Sequence, residues 1–303
     1  MNKRLFIPVS FLLVALLVTG CSFQVVAGSG KVVTETRDVS NFSRVTLAGI
    51  GNLILTQGES ESLKIEADDN LISYFKTEVQ GNTLTIGLKD EYMGVMLQPT
   101  KPIKFYLTVK DLEAVTLAGS GNINADALKV KDFGVTLAGS GNISVTTLSA
   151  AKVDIHLAGS GDVAIDTLKA DELTSNTAGS GNIIFQQLTV PAVNVTIIGS
   201  GDARLGTMTA TSLYVSASGS GNVSATGKVT DQHITTIGSG DYQADAVQSQ
   251  SATVQVSGSG SSRVGAVSET LDVRINGSGN VYYSGRPSIN TDISGSGKVR
   301  STD

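Results

Sequence analysis

The sequence contains no tryptophan, one cysteine, five prolines and few aromatic residues, which account for 5% of its 303 positions. With a single cysteine, no disulfide can form within the chain, so packing and hydrogen bonds must hold the fold together. Basic residues are also scarce: the chain has 22 lysines and arginines and 27 aspartates and glutamates. A nucleic-acid partner requires a basic face. We therefore expect no nucleic-acid binding.

Long apolar runs are missing as well. The main apolar stretch, Leu5 to Val18, is shorter than the roughly 20 residues that a membrane-spanning helix needs. It follows Lys3 and Arg4 and ends in small residues, which is typical of a secretory signal peptide. The sequence therefore predicts an exported protein.

The only cysteine, Cys21, closes this signal. The tetrapeptide "VTGC" at Val18–Cys21 resembles the lipobox of bacterial lipoproteins. That resemblance implies a lipoprotein signal peptide over residues 1–20 and lipidation of Cys21, with palmitate among the acyl chains. Ser22 follows in place of aspartate, which in such lipoproteins favours the outer membrane of a Gram-negative bacterium. The membrane is then a partner through the anchor, and the alternative is an ordinary signal peptide with an incidental cysteine.

Glycine is abundant, with 34 residues, and many of these belong to a repeated tripeptide, GSG. Ten copies follow one another at intervals of 18 to 20 residues. Such regular spacing indicates a repeat architecture rather than ten separate loops. Nucleotide-binding motifs need further glycines and a following helix, which these copies lack. The copies begin at Gly119, Gly139, Gly159, Gly179, Gly199, Gly219, Gly238, Gly258, Gly277 and Gly295.

Apolar and polar residues alternate on both sides of each GSG. In one copy, Val135 and Leu137 flank Thr136 before the turn, and Ile143 and Val145 follow it. Period-two alternation predicts strands with one buried face. A repeat of about 20 residues cannot bury that face alone and must stack on its neighbours. We predict an all-β, right-handed parallel β-helix with one GSG turn per coil; the alternative is an antiparallel β-prism or stacked meander.

A polar residue follows each GSG, and asparagine and aspartate dominate this column. Recurring aspartates raise the question of calcium, but the acids occupy alternate coils, about 10 Å apart by strand spacing. Asparagine and aspartate also suit tight turns, and stacked asparagines are favourable. We predict a structural turn ladder and no metal site or other cofactor. Its members are Asn122, Asn142, Asp162, Asn182, Asp202, Asn222, Asp241 and Asn280.

One segment interrupts the repeat. The coil pattern predicts N-terminal coils over residues 21–110 and a regular β-helix over 111–303, with a β-rich insertion at about 58–108. Within the insertion, the stretch "LISYFKTEV" is compatible with a short helix, and an irregular loop contains Tyr92, Met93 and Met96. Exposed aromatic and methionine side chains often anchor interfaces. These three residues are therefore candidate partner contacts, and the alternatives are packing beneath the loop and an insertion that caps the β-helix.

Catalytic groups do not converge in this pattern. His156 and His233 fall in different coils and lack metal-ligand spacing. Asp126 and Asp166 occupy equivalent positions two coils apart, with no basic residue beside them. We predict no catalytic residues and no enzymatic activity.

The repeat resembles the putative auto-transporter adhesin family with the head GIN domain. The stretches that carry the resemblance are "VTLAGIGNLILTQGESESLKIEADDNL", "NTLTIGLK" and "KPIKFYLTVKDLEAVTLAGSGNI", followed by the GSGN and GSGD coils. The resemblance implies an exported β-helix that serves in cell adhesion or surface binding. We expect a lipid-anchored envelope protein that binds an extracellular glycan or protein. The alternatives are a polysaccharide-active enzyme and a structural envelope protein that forms homo-oligomers.

Overall fold

The computed structural model describes residues 24–303, so the predicted signal peptide and Cys21 lie outside the described residues. Within that range the chain is all-β, with two short 3₁₀ helices, Ile72–Tyr74 and Asp90–Tyr92. No helix there is long and apolar enough to cross a membrane. The strands of the N-terminal part are β1 Val25–Ala27, β2 Val32–Arg37, β3 Arg44–Gly49, β4 Asn52–Gln57, β5 Ser62–Asp68, β6 Phe75–Gln80, β7 Thr83–Leu88, β8 Met96–Gln98 and β9 Lys104–Val109.

The repeat region contributes sixteen further strands. The early coils break between two strands at a corner, whereas β19 to β22 run through that corner without a break. The strands are β10 Ala114–Gly119, β11 Asn122–Lys129, β12 Asp132–Gly139, β13 Asn142–Ser149, β14 Lys152–Gly159, β15 Val163–Lys169, β16 Glu172–Gly179, β17 Ile183–Thr189, β18 Ala192–Gly199, β19 Ala203–Gly219, β20 Val223–Gly238, β21 Tyr242–Gly258, β22 Ser262–Gly277, β23 Val281–Gly285, β24 Ser288–Gly295 and β25 Val299–Ser301.

Equivalent strands of successive coils pair in parallel and in register. Val115 pairs with Val135 and Leu117 with Leu137, one repeat further along the chain. Strands before each GSG form one sheet, which we call face A: β3, β10, β12, β14, β16, β18, the second halves of β19 to β22, and β24. Strands after each GSG form the other sheet, face B. The predicted parallel β-helix is confirmed, with about nine turns.

Small apolar side chains fill the interior of the β-helix. Val135, Leu137 and Ile143 are fully buried, and the equivalent residues of neighbouring coils lie directly above and below them. The side chains between them, such as Thr136 and Ser144, point outward because successive residues of a strand face opposite sides. Branched aliphatic residues therefore form continuous ladders inside, which removes their surface from water along the whole solenoid.

The two glycines of each GSG meet different steric requirements. The first adopts a positive φ in every copy, between 115° and 147°, which favours glycine. The second lies against the preceding coil, where a Cβ on Gly141 would overlap the carbonyl oxygen of Gly121. Between them, the amides of Ser140 and Gly141 both donate to the carbonyl of Gly119, at 3.0 and 3.1 Å. The turn is thus bonded to its neighbour as tightly as the strands are.

The insertion covers the N-terminal end of the β-helix. On face B, β9 pairs with β4 in parallel, β5 lies antiparallel to β9, and β2 lies antiparallel to β5. On face A, β7 pairs with β3 and the hairpin strand β6 closes the edge. Buried side chains including Phe75 and Phe105, whose rings meet edge to face at 5.4 Å, fill the space between these strands. These strands cover the end of the β-helix, and we call the N-terminal part up to β9 the cap.

Two local features of the cap differ from the sequence interpretation. The stretch "LISYFKTEV" forms one 3₁₀ turn and then strand β6, because the side chain of Phe75 enters the core at the start of the strand. A further GSG, at Gly28 before the ten regular copies, makes no coil turn. The chain there runs into β2, which pairs antiparallel with the insertion instead of stacking on a coil.

A buried carboxylate, Asp68, fixes this N-terminal segment. It accepts hydrogen bonds from the hydroxyl of Thr100 at 2.6 Å, the amide of Thr100 at 2.8 Å and the amide of Gly30 at 2.9 Å. A Cβ on Gly28 would overlap the Asp68 carboxylate, so only glycine fits there. The hydrogen bonds from Thr100, above all that from its hydroxyl, lower the pKa of Asp68.

The opposite end of the β-helix is more open. Strand β24 is exposed along its whole length, and it pairs with β22 on one side. The inward column of this coil contains Ile289, Thr291 and Ile293, and all three are exposed. The N-terminal end of the β-helix is therefore covered by packed strands, whereas the C-terminal coil leaves its inward column exposed.

Replacing Gly141 by alanine is expected to lower the free energy of unfolding by about 1–3 kcal/mol, because the new methyl group must push the backbone of the preceding coil away. The control is Ser140→Ala in the same turn, where the side chain is exposed and the expected change is within about 0.5 kcal/mol. Urea unfolding followed by far-UV circular dichroism measures both. Equal effects of the two substitutions would contradict the close-approach explanation.

Replacing Asp68 by asparagine is expected to destabilise the cap at neutral pH, because an amide offers one acceptor oxygen where the carboxylate accepts three hydrogen bonds. Since the folded-state pKa is lowered, the stabilisation by Asp68 is fully present above its unfolded-state pKa of about 4 and is lost as the pH falls through the folded-state value. The difference in Tm between wild type and variant should therefore be largest near pH 7 and shrink near pH 3. Asp166→Asn, which changes an exposed carboxylate on a distant coil, is the control for removing one negative charge, and an equal loss of Tm at pH 7 in this control would contradict the role of the Asp68 hydrogen bonds.

Candidate functional site

The asparagines and aspartates that follow GSG form a hydrogen-bonded ladder along the β-helix. Each side-chain oxygen accepts from the backbone amide of the equivalent residue in the next coil. Asn142 Oδ1 accepts from the Asp162 amide at 3.0 Å, and Asp162 Oδ1 accepts from the Asn182 amide at 2.9 Å. The pattern continues to the amides of Asp202, Asn222, Asp241 and Ser261. These side chains therefore connect one coil to the next. In an isolated tight turn, asparagine and aspartate side chains more often bond to the backbone of their own turn.

The order of the two residue types within the ladder has an electrostatic reason. Asn182 Nδ2 also donates to Asp162 Oδ1 at 2.9 Å, and Asn222 Nδ2 donates to Asp202 Oδ1 at 3.2 Å. An asparagine between two aspartates thus supplies a donor and keeps the carboxylates two coils apart. Among residues 24–303, no three histidine, cysteine, aspartate or glutamate side chains lie close enough to hold a metal ion.

The residues considered for catalysis are dispersed. Asp126 and Asp166 are exposed on coils that are not adjacent, and His156 is exposed on face A. His233 stacks on Tyr214, with ring centroids 4.5 Å apart and planes inclined by 10°. The structure brings none of these carboxylates and imidazoles together.

The outward surface of face A becomes more apolar in the coils of β18, β19 and β20. Ile198, Ile237 and Tyr214 are 59%, 49% and 48% exposed. Ile198 and Ile237 flank Ser218 in one outward column, and Tyr214 lies beside His233 in another. We call Ile198, Tyr214, Ser218, His233 and Ile237 the face A patch. In earlier coils, the position of Ile198 is alanine.

A groove of about 650 Å³ crosses the corner of the later coils, where β19 to β22 continue without a break. Val229 and Val267 are buried at its floor, and Gln248 lies on its wall. Lys228 and Arg286 are its charged lining residues. The groove therefore offers apolar contact together with positive charge on an otherwise acidic protein.

The irregular loop of the cap separates the three residues that sequence analysis grouped. Tyr92 is half-buried and packs on Tyr74, with ring centroids 4.3 Å apart. The negative charge of Glu91 raises the pKa of Tyr92. Met93 and Met96 are exposed, at 73% and 53%. Packing therefore accounts for the tyrosine, and the two methionines face solvent.

A polar cluster in the core was missed by the sequence analysis. Gln232 is fully buried where neighbouring coils carry Leu213 and Ala252. Its amide donates to Ser249 Oγ at 2.9 Å, and its carbonyl accepts from the hydroxyl of Tyr242 at 2.8 Å. Burial raises the pKa of Tyr242, which keeps the phenol protonated. The change from leucine to glutamine in one inward column was the available signal.

Comparison with known proteins identifies relatives by family and by fold. A family model described as "Putative auto-transporter adhesin, head GIN domain" matches residues 41–208 and 199–287. A solved structure described as a putative lipid binding protein from Parabacteroides distasonis is 24% identical, with a TM-score of 0.58, and the alignment covers 92% of this chain and 100% of that one. A putative adhesin from Parabacteroides merdae is 21% identical, with a TM-score of 0.51 and the same coverage.

At these identities the two structures establish the shared β-helical fold. A search of the curated proteins gives no match. The family model, in contrast, spans the cap and most of the coils, including the GSG turns, the Asn/Asp ladder and the face A patch. The chain therefore belongs to the family described as "Putative auto-transporter adhesin, head GIN domain".

Proposed function

We propose that the protein is a lipid-anchored component of the cell envelope that binds an extracellular glycan or protein without catalysing a reaction. Family membership supports a role at the cell surface or in the envelope. The lipobox-like sequence that ends at Cys21 supports anchoring, with the outer membrane as the expected location. The observation that carries the binding role is the face A patch, where large apolar side chains replace the small ones of earlier coils.

The face A patch has the composition of a contact surface. Ile198 and Ile237 lie two coils apart, about 10 Å by strand spacing, with the small Ser218 between them. An isoleucine side chain that faces water contributes no burial of apolar surface to the stability of the fold. Apolar side chains rimmed by polar groups are typical of binding surfaces. The Tyr214–His233 stack supplies an aromatic edge on the same face.

Rigid presentation also favours recognition. The side chains of the face A patch project from three consecutive strands whose backbones are bonded in register. Since the backbone is already ordered, a partner does not have to fix a loop when it binds, and the entropic cost of association is smaller. The corner groove lies at the other end of these strands from Ile198 and Ile237, and its Lys228 and Arg286 favour partners that carry acidic groups.

The double substitution Ile198→Asp and Ile237→Asp is expected to weaken partner binding at least tenfold, because it places charge on the apolar contacts of the face A patch. The probes are a panel of immobilised glycans and extracellular-matrix proteins, with the purified domain as analyte. Ala118→Asp with Ala158→Asp is the matched control, since these exposed alanines occupy the same column in earlier coils.

An equal loss in the control pair would place the contact elsewhere. Release of shorter products from any glycan in the panel would replace the binding role with polysaccharide-active chemistry. Absence of retention on every glycan and matrix protein in the panel would overturn the adhesin-type role.

The Cys21→Ser substitution is expected to move the protein from the membrane fraction to the soluble fraction of a Gram-negative host, because the acylated residue is removed. Metabolic labelling with a palmitate analogue should mark the wild-type chain and leave the variant unmarked. Protease treatment of intact cells should cleave the wild type if the domain faces outward. Labelling of the variant would contradict lipidation at Cys21, and complete protection from protease would contradict a surface-binding role.

A further inference from the structure

We infer that Val25, Met93 and Met96 form a membrane-contact patch, through which the N-terminal cap rests on the bilayer that holds the lipid anchor. This inference rests on the lipid anchoring proposed above. It gives the exposed methionines of the irregular loop a lipid surface as their partner, and it orients the β-helix with its cap toward the membrane.

The three side chains lie on one small structural unit. Strands β1 and β8 form a separate two-stranded parallel sheet, in which Val25 pairs with Met96. Val25 is 51% exposed and is thus similar to Met96. The next residues along both strands, Val26 and Leu97, pack inward against the core. The alternation therefore leaves Val25, Ala27 and Met96 on one outward face with Gln98 at its end, and Met93 adds an exposed side chain from the adjoining loop.

The covalent distance to the anchor places this face near lipid. Cys21 precedes Val25 by four residues, so a fully extended chain between them spans at most about 14 Å. A lipidated Cys21 must therefore hold β1 close to the lipid headgroups. At that distance the outward side chains of the β1–β8 sheet reach the interface between headgroups and acyl chains, where methionine and valine are favourable.

Charge at the patch argues for apolar insertion over electrostatic attraction. Asp90 is paired with Lys76 at 2.6 Å, and the same turn carries Lys89 and the exposed Glu91, whose opposite charges balance. Such surroundings give no net attraction to anionic lipids. Three side chains bind weakly by themselves, but the anchor converts their insertion into an intramolecular step at high effective concentration. Contact should therefore require the tether and change little with salt or with the fraction of anionic lipid.

This contact sets which part of the β-helix points away from the membrane. Face A continues from β3, next to the cap, through β10, β12, β14 and β16 to β18. Five strand spacings separate β3 from β18, or about 24 Å along the axis. The face A patch then begins well beyond the cap, where a partner outside the membrane reaches it.

The absence of tryptophan and the single cysteine allow a direct test. The mature chain, produced without residues 1–20, is coupled through the Cys21 thiol to a maleimide lipid and bound to phosphatidylcholine vesicles that contain brominated acyl chains. Met96→Trp places a unique fluorophore in the membrane-contact patch, and Tyr214→Trp places one on the face A patch as a matched control. Circular dichroism and thermal unfolding verify that both variants fold like the parent.

We expect at least twofold quenching of the Met96→Trp emission and a shift of its maximum to shorter wavelength, with neither change in Tyr214→Trp. Met93→Trp should behave like Met96→Trp, and the same two proteins without the coupled lipid should show no quenching. Absence of quenching at both 93 and 96 in the tethered protein would overturn the inference, as would equal quenching at 214. Because the lipid is attached chemically, this result is independent of whether cells acylate Cys21.

Discussion

The close approach of backbone between successive GSG turns is the constraint on which the rest of the molecule depends. At Gly141 and its equivalents there is no room for a side chain, because the carbonyl of the preceding coil occupies that space. The turns therefore stack at the same spacing as the strands and keep all coils in one register. The ladders of Val and Leu inside, the Asn/Asp ladder at the turns and the flat outer surface of face A all follow from this register. The face A patch depends on the same register, since a surface built from three coils exists only while those coils are aligned.

Sequence periodicity predicted the repeat region well because the same pattern of apolar, polar and glycine residues recurs in ten copies. Residues such as Val135 and Leu137 alternate with polar neighbours in copy after copy, so local chance is averaged out. The cap lacks this redundancy. Apart from the local hairpin of β6 and β7, its strands pair over long separations, as β2 does with β5, and no local pattern shows which of these distant strands meet. Phe75 illustrates the difference. Its stretch is compatible with a helix in sequence, but Phe75 begins strand β6 because its ring packs in the core of the cap.

The candidate sites were harder to predict than the fold for a related reason. A column analysis detects what successive coils share, whereas a binding surface consists of the positions at which a few coils depart from the rest. Ile198 and Ile237 are such departures in the outward column, and Gln232 is one in an inward column. The methionines of the cap loop were found because they lie outside the repeat. Whether they face solvent depends on the pairing of β1 with β8, which the sequence does not reveal.

Each coil contacts mainly the coils before and after it, and among the described residues the last coil consists of the exposed strand β24 on face A and the short strand β25 on face B. Duplication of one 20-residue unit would therefore cost little and would leave the existing pairings intact. A gene that gains or loses a coil between the cap and β18 changes the reach of the face A patch by about 5 Å while its chemistry stays the same. The number of repeats therefore sets the position of the face A patch along the β-helix independently of the side chains that form the patch.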